Sequence, residues 1–375
     1  MRVQIVDPAA QTPPFDRALS AALARAGAQV ELVTSEFVHG PVADPEGYEV
    51  AEIFYPRSSK LRSGSLARRA LLFAEHVPSM ARARRGARGA DVVNYQWLTV
   101  PGLDARLLPP KATKLLTIHE LPRTGEGRRY AGIAAAIEQM DGLIVLTEHG
   151  AARLRDEMNV PANRVHVVPH GAFDYLTKLP EERPLLRELE GAEGPVILSF
   201  GLIRPYKGVD VLLRAFAELD SSEAELWIVG RPLGVDVADL HRLADAAKSR
   251  VRFVTRFITD PEIPAIFRRA DVIALPYREA QQSGVLYAAL AFGKAIVASD
   301  VGGFREVGAT GEGETLRLVP PEDPSALAAA LDHLIGDDEA RSRLASAAAR
   351  AAAGPYSWDA VAAQTLALYG RLSGK

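Results

Sequence analysis

Strand-like and helix-like segments alternate along this chain, and they do so in two series. In the first half, short apolar runs fall at 2–7, 28–34, 90–96, 113–120, 142–148 and 164–171, with helical periodicity at 15–27 and between several of the others. In the second half they fall at 195–201, 224–230, 251–257, 271–277 and 294–300, separated by helical patterns at 208–219, 237–247 and 261–270 and followed by one at 324–336. Runs that are apolar on both faces suit strands buried on both sides. Helices between them supply the long crossovers that parallel strands need. The stretch 175–195, "YLTKLPEERPLLRELEGAEGP", interrupts the pattern and reads as a linker. A chain of 375 residues also exceeds one ordinary core. The expectation is two doubly wound, Rossmann-like α/β domains, with ligands bound outside the carboxyl ends of the strands and the two such edges facing across a cleft.

Composition narrows the functional classes. Lysine and arginine total 44 against 47 acids, a net charge of −3, so there is no global nucleic-acid footprint and no nucleic-acid partner is expected. There is no cysteine, which excludes disulfides and thiolate metal sites and fits a reducing cytoplasm. The N-terminus turns polar after six residues, unlike a signal peptide, and no run approaches the roughly 18 apolar residues of a membrane span. Locally the charge is uneven. Between 57 and 88 lie Arg57, Lys60, Arg62, Arg68, Arg69, Arg82, Arg84, Arg85 and Arg88, with Glu75 the only acid. Leu66, Ala70, Phe73 and Val77 in that segment share one helical face. Such a segment is either a solvated helix face or a surface for an anionic membrane, and the location expected is cytoplasmic or peripheral at the inner membrane face.

Two loops in the second half carry most of the chemical signal. In "SFGLIRPYKGVDVLL" a strand ends at Gly201, and Arg204 and Lys207 precede a helix that starts after Gly208. Two cations beside a helix N-terminus make an anion site, against the plainer possibility of a solvated loop. In "YREAQQSGVLYAALAFGKAIVASDVGGFREV" Ser283 stands where a helix should begin, so its hydroxyl either caps that helix or helps cradle a phosphate. A cap alone leaves Glu279, Gln281 and Gln282 beside it unexplained, and these three suit sugar hydroxyls.

These loops, in this order, resemble the retaining glycosyltransferases of family 4, which have the GT-B fold. The resemblance rests on "GLIRPYKGVDVLLRAF", "LWIVG", "ADVIALPY", "QSGV", "AFGKAIVASDVGGFREV" and the C-terminal "YSWDAVAAQTLALYGRL", and more loosely on "RVQIVD", "VNYQW", "LTIHELPR" and "RVHVVPHGAFD". It implies an N-terminal acceptor-side domain at 1–178 and a donor-binding domain at 179–356, with a helix at about 357–373 that packs back on the first. It implies a nucleotide-diphosphate sugar as co-substrate. Arg204 and Lys207 would neutralise the leaving diphosphate, the amides of Ser283 and Gly284 would receive it, and Gly201 and Val285 would belong to the same donor site. Glu279, Gln281 and Gln282 would hold sugar hydroxyls, and His119 at a strand end would contact the donor sugar. Gln96 and Trp97, after another strand, and Glu120 and His170 are candidates on the acceptor side, where structural roles are the competing explanation for both histidines. The acceptor would be a carbohydrate, a lipid-linked sugar or a small molecule, in polysaccharide, glycolipid or glycoconjugate biosynthesis.

The chain also departs from that family. The usual glutamate pair would fall on Ala280 and Ala288, and "DPAAQTPPFDRA" stands where a glycine-rich loop often follows the first strand. The "QSGV" version looks like a branch of its own. No Asp-x-Asp sequence and no His/carboxylate cluster with metal spacing occurs, so no catalytic metal is expected. Besides transfer, a GT-B-fold nucleotide-sugar epimerase and a non-catalytic donor-binding partner are the alternatives.

Overall fold

The structure, a computed structural model, describes all residues except 39, 41, 43, 62–64, 122–126, 221–222 and 311–313, and the side chains of 127–130 are also outside the description. The chain forms two compact units, Met1–Gly171 with Trp358–Lys375, and Ala172–Ser357.

The first unit holds strands β1 (Arg2–Asp7), β2 (Gln29–Ser35), β3 (Glu49–Phe54), β4 (Val92–Tyr95), β5 (Thr113–Ile118), β6 (Gly142–Val145) and β7 (Val165–Val167). They pair in the order β3-β2-β1-β4-β5-β6-β7, every pair parallel. Its helices are α1 (Pro13–Arg25), α2 (Leu66–Gly86), α3 (Pro101–Asp104), α4 (Gly127–Glu138) and α5 (Glu148–Met158). The central strands are apolar on both faces: Val3, Ile5, Val92, Val93, Leu115 and Leu143 are all buried. β3 escapes a sequence reading because it is an edge strand that carries Glu49 and Glu52, only its last residue being buried.

The second unit holds β8 (Val196–Phe200), α6 (Val209–Glu218), β9 (Glu225–Val229), α7 (Val237–Ala244), β10 (Val251–Val254), α8 (Ile263–Arg269), β11 (Val272–Leu275), α9 (Gly284–Ala291), β12 (Ala295–Ser299), α10 (Phe304–Gly308), β13 (Arg317–Val319), α11 (Pro324–Gly336) and α12 (Asp338–Ala353). The sheet order is β10-β9-β8-β11-β12-β13, again parallel throughout. The switch of direction beside β8 is the feature that opens a crevice at the carboxyl edge of such sheets. Between β7 and β8 the chain makes only short 3-10 turns, as the proline-bearing stretch 175–195 suggests. Arg252 nonetheless ties this stretch down, donating to the carbonyls of Glu188 and Glu190 and, bidentately, to Glu225.

The last helix, α13 (Trp358–Ser373), belongs to the first unit. The surface ion pairs of this helix and the residues after it, Arg25–Asp359 and Lys375–Asp91, add little. Its buried contacts count for more. Asn94 Nδ2 donates to Tyr369 Oη at 2.7 Å, and Thr117 Oγ1 donates to Asn94 Oδ1 at 3.0 Å. The Trp358 indole lies so close over Gly171 that a Cβ there would sit 2.4 Å from the ring.

α2 reaches well past the apolar face visible in sequence. Glu75 accepts from the Arg57 and Ser58 amides at 3.1 Å each and from Ser58 Oγ at 2.7 Å. His76 lies between Tyr55 Oη (2.7 Å from Nδ1) and Asp104 Oδ1 (2.5 Å from Nε2), and Asp104 Oδ2 accepts from the Val100 amide. His76 and Asp104 are fully buried. Burial holds the Tyr55 phenol above its ordinary range. Asp104→Ala leaves His76 and the Val100 amide without their acceptor, so a loss of about 1–3 kcal/mol in denaturant unfolding is expected. Tyr55→Phe, which removes only one partner, should cost less. Equal and negligible losses would mean that the relay does not hold α2.

Candidate functional site

In the second unit the carboxyl ends of β8 and β11 bring the two informative loops together. Gly208 makes this possible. It adopts φ +65°, and a Cβ on it would lie 2.0 Å from the Pro276 carbonyl oxygen, so only glycine lets the two backbones meet. Arg278 then locks them. It pairs bidentately with Asp210 at 2.9 and 2.8 Å, donates to the Pro205 carbonyl at 2.7 Å and to Glu322 at 2.9 Å, and its amide donates to the Tyr206 carbonyl at 2.7 Å.

Against this frame Lys207 Nζ lies 5.2 Å from the centroid of the Tyr277 ring. A Cβ on Gly201 would meet Lys207 Nζ at 3.1 Å and Val285 Cγ2 at 3.2 Å, so Gly201, Lys207 and the first turn of α9 converge. Ser283 is the N-cap residue of α9 but makes no capping bond. Its hydroxyl is 3.1 Å from Tyr277 Oη instead. The first amides of α9, those of Gly284 and Val285, have no intrahelical acceptor by the geometry of a helix start. Arg204 Nε and Gln282 Oε1 are buried without a hydrogen-bond partner. Gln281 is half-buried and Glu279 is exposed. Ala280 and Ala288, where the family's glutamates would stand, pack against or within the hydrophobic core of this unit.

In the first unit, the residues after β4 and β5 form a second group. His119 is buried, with Nε2 2.9 Å from Gln96 Oε1. With the amide oxygen as acceptor, His119 carries its proton on Nε2, which leaves Nδ1 an acceptor. Nδ1 and Gln96 Nε2 are both buried and have no partner. The imidazole stacks on Trp97 (5.2 Å, 12°) and receives the edge of Phe15 (4.8 Å, 88°). Burial, and then the neighbouring His170, push the His119 pKa down to about 3. Burial likewise lowers His170 to about 4, and its Nδ1 donates to the Gly171 carbonyl at 2.6 Å. Both imidazoles are therefore neutral at physiological pH. Trp97 Nε1 donates to Thr12 Oγ1 at 3.0 Å. Glu120 is exposed.

The structure thus gathers Gly201, Lys207, Ser283, Gly284 and Val285 in one unit, and Gln96, Trp97, His119 and His170 in the other. Sequence reasoning missed Tyr277, Arg278, Phe15 and Thr12. A strand-end aromatic and an arginine before "EAQQSG" were the available signals for the first two; nothing in the sequence links Phe15 or Thr12 to residues some hundred positions away.

On α2, Leu66, Phe73 and Val77 are 81%, 58% and 42% exposed, with Arg69, Arg82, Arg84 and Arg85 exposed on the same helix. Arg62 lies outside the described residues. Among the described residues no helix is long and apolar enough to cross a membrane, and no group of three His, Cys, Asp or Glu is placed to hold a metal ion.

Residues 17–172 match the family model described as Glycosyltransferase Family 4, and residues 194–337 the model described as Glycosyl transferases group 1. A D-inositol 3-phosphate glycosyltransferase of Kineococcus radiotolerans is 30% identical over 94% of this chain and 88% of its own. Among solved structures, sucrose-phosphate synthase from Thermosynechococcus elongatus aligns over 100% of this chain and 99% of its own, with a TM-score of 0.73 at 19% identity. The Anabaena protein Alr3699/HepE, in complex with UDP and glucose, aligns over 99% and 100% with a TM-score of 0.71 at 18% identity. By its sequence relatives and its two parallel sheets, the chain belongs to the family 4, group 1 glycosyltransferases and is an enzyme of the GT-B fold.

Proposed function

We propose that this enzyme moves a sugar from a nucleotide-diphosphate sugar to an acceptor hydroxyl with retention at the anomeric carbon. The observation that carries this is the convergence of Lys207 Nζ, Gly201 and the start of α9 on one backbone frame locked by Arg278. That arrangement suits a diphosphate: a point charge, approachable backbone and free amides at one place. Arg204, with an unpartnered Nε, supplies the second cation. Gln281, Gln282 and Glu279 take donor sugar hydroxyls. A bound UDP in Alr3699/HepE supports a nucleotide donor of this kind. The second unit, Ala172–Ser357, is the donor domain, and the first, Met1–Gly171 with Trp358–Lys375, the acceptor side.

On the acceptor side, His119 Nδ1 accepts and Gln96 Nε2 donates, so together they suit a neutral hydroxyl and disfavour an oxyanion at Nδ1. Trp97 gives a sugar an aromatic wall, and Glu120 and His170 flank this group in sequence and in the fold. With alanines at 280 and 288, no carboxylate nucleophile is at hand at those two places. The bond from the anomeric carbon to the diphosphate oxygen breaks while the bond to the acceptor oxygen forms on the same face. The acceptor proton goes to a diphosphate oxygen. The protein's part is to hold the partners and to stabilise charge on the leaving group. No step requires a metal. The exposed apolar row and arginines of α2 support docking on an anionic membrane surface at the cytoplasmic face, where a lipid-linked acceptor would be met, as in glycolipid or polysaccharide assembly.

Incubation with a panel of nucleotide sugars, with and without acceptors, tests the reaction. Transfer gives an acceptor product with the donor's anomeric configuration, an epimerase gives an isomer without acceptor, and a donor-binding partner gives neither. Arg204→Ala and Lys207→Ala are each expected to lower transfer by about 100-fold with an unchanged melting profile. Wild-type rates in both would put the diphosphate elsewhere. Transfer should survive exhaustive dialysis against EDTA; a loss reversed only by a divalent ion would contradict the metal-free route. Reversing charge at Arg69, Arg82, Arg84 and Arg85 should weaken sedimentation with anionic liposomes, at about 1 kcal/mol per residue and less at high salt. Undiminished sedimentation would make α2 a solvated face.

A further inference from the structure

We propose that the turn between β1 and α1 selects against phosphorylated acceptors, with Asp7 as its specificity-determining residue. The turn has committed its hydrogen-bond donors to itself, so the acceptor that meets it is a neutral polyol or sugar. The inference rests on the reading of the Gln96–Trp97–His119 group as the acceptor side and deepens it by naming the class of acceptor.

A turn that leads from a parallel strand into a helix is a natural anion site, because backbone amides are at hand and the helix dipole favours negative charge. Here the turn reads "DPAAQTPP", and each of its backbone donors from 8 to 14 is either missing or taken. Asp7 is fully buried at the end of β1. Its Oδ1 accepts from the Ala9 amide at 3.3 Å, and its Oδ2 from the amides of Gln11 at 2.6 Å and Thr12 at 3.1 Å. The Ala10 amide donates to the Asp7 carbonyl at 3.3 Å, which Thr34 Oγ1 also reaches at 2.8 Å. Pro8, Pro13 and Pro14 carry no amide hydrogen, and the last two are the first two residues of α1. Ala10 holds φ +47°, an uncommon conformation for a residue with a Cβ, and the bonds to Asp7 on either side of it hold the turn there. The carboxyl thus takes the bonds that a phosphate would take.

Side-chain donors at the turn are committed in the same way. Trp97 Nε1 donates to Thr12 Oγ1 at 3.0 Å. Thr12 is the N-cap residue of α1 yet makes no capping bond, and its hydroxyl turns its own proton to Asp16, 3.4 Å from both carboxyl oxygens. Through the Trp97 indole, which stacks on His119, the turn belongs to the acceptor-side group. Phe15, the third residue of α1, adds its ring against those of His119 and His170. In that group Gln96 Nε2 and His119 Nδ1 remain unpartnered, one neutral donor and one neutral acceptor. A hydroxyl satisfies both, whereas a phosphate can use only the donor.

The two units therefore treat negative charge in opposite ways. The start of α9 presents the amides of Gly284 and Val285, with Lys207 Nζ close to Gly201. The start of α1 presents two prolines and a carboxyl that already holds the turn's amides. Rejection works by desolvation: a phosphate entering at this turn gives up water and gains no backbone donor.

The test compares neutral acceptors with their own phosphomonoesters, myo-inositol with inositol 3-phosphate and glucose with glucose 6-phosphate among them, in wild type and in Asp7→Ala. Wild type should favour the neutral member of a reacting pair by about 100-fold or more in kcat/KM. Asp7→Ala, which releases the amides of Ala9, Gln11 and Thr12, should shrink that ratio by about tenfold or more. A purely structural Asp7 would lower both members alike and leave the ratio unchanged, which would overturn the proposal, as would a wild type that prefers the phosphorylated member. A second measurement needs no catalysis: inorganic phosphate is titrated into the ligand-free, ¹⁵N-labelled protein. The Gln11 and Thr12 amide signals should stay unmoved in wild type, and a saturable shift there overturns the proposal whether or not Asp7→Ala folds. In folded Asp7→Ala the same signals should move with phosphate, and their staying unmoved counts against it equally. Should no pair react, it is the transfer reading that suffers, and the phosphate titration still decides the turn.

Discussion

Parallel pairing is the constraint on which everything else depends. In both sheets every strand runs the same way, so every strand-to-helix loop of a unit emerges at one edge. Arg278 and Asp210 are 68 residues apart in sequence, yet they meet because β8 and β11 are hydrogen-bonded neighbours with the same direction. Had either strand been antiparallel, the cation loop and the "QQSG" loop would lie at opposite ends of the sheet.

Proximity of strands does not by itself fix loops, and two further devices do so in the second unit. A missing Cβ at Gly208 admits the Pro276 carbonyl, and the planar guanidinium of Arg278 satisfies one carboxylate, a second carboxylate and a backbone carbonyl at once. A lysine, with a point charge and no fixed fork, would not span these partners. The consequence is preorganisation. Lys207 rests against the Tyr277 ring, on loops whose backbone is already committed, so little ordering of this loop pair is left undone.

The first unit solves a different problem, that of keeping polar side chains in a dry interior. Tyr55–His76–Asp104 and Asn94–Tyr369–Thr117 close their hydrogen bonds internally, and Asp7 accepts from the backbone amides of the turn that follows it. Gln96 and His119 do so only in part, each keeping one buried atom unpaired. A buried unpaired polar atom costs stability, and this group, which packs against Trp97 and Phe15, carries two of them.

The sequence by itself determined the two α/β series, the break at 175–195, the cation loop, the "QSGV" loop and the family. These are legible because strand and helix periodicity, a proline-bearing interruption, and glycine before a helix are local signals. Strand β3, with its glutamates, and the three-residue β13 were not legible, since edge and very short strands carry little apolar pattern. Nor was the fate of Ser283, whose position promised a cap but whose hydroxyl turned to Tyr277. Only the tertiary structure decided that His119 is buried with an unpartnered Nδ1, that Arg278 joins two loops, and that Trp97 is held by Thr12. Each of these depends on burial and on a partner distant in sequence or across a turn. A side chain's protonation and hydrogen bonds are set by the dielectric and the neighbours that folding gives it, and no local pattern encodes those.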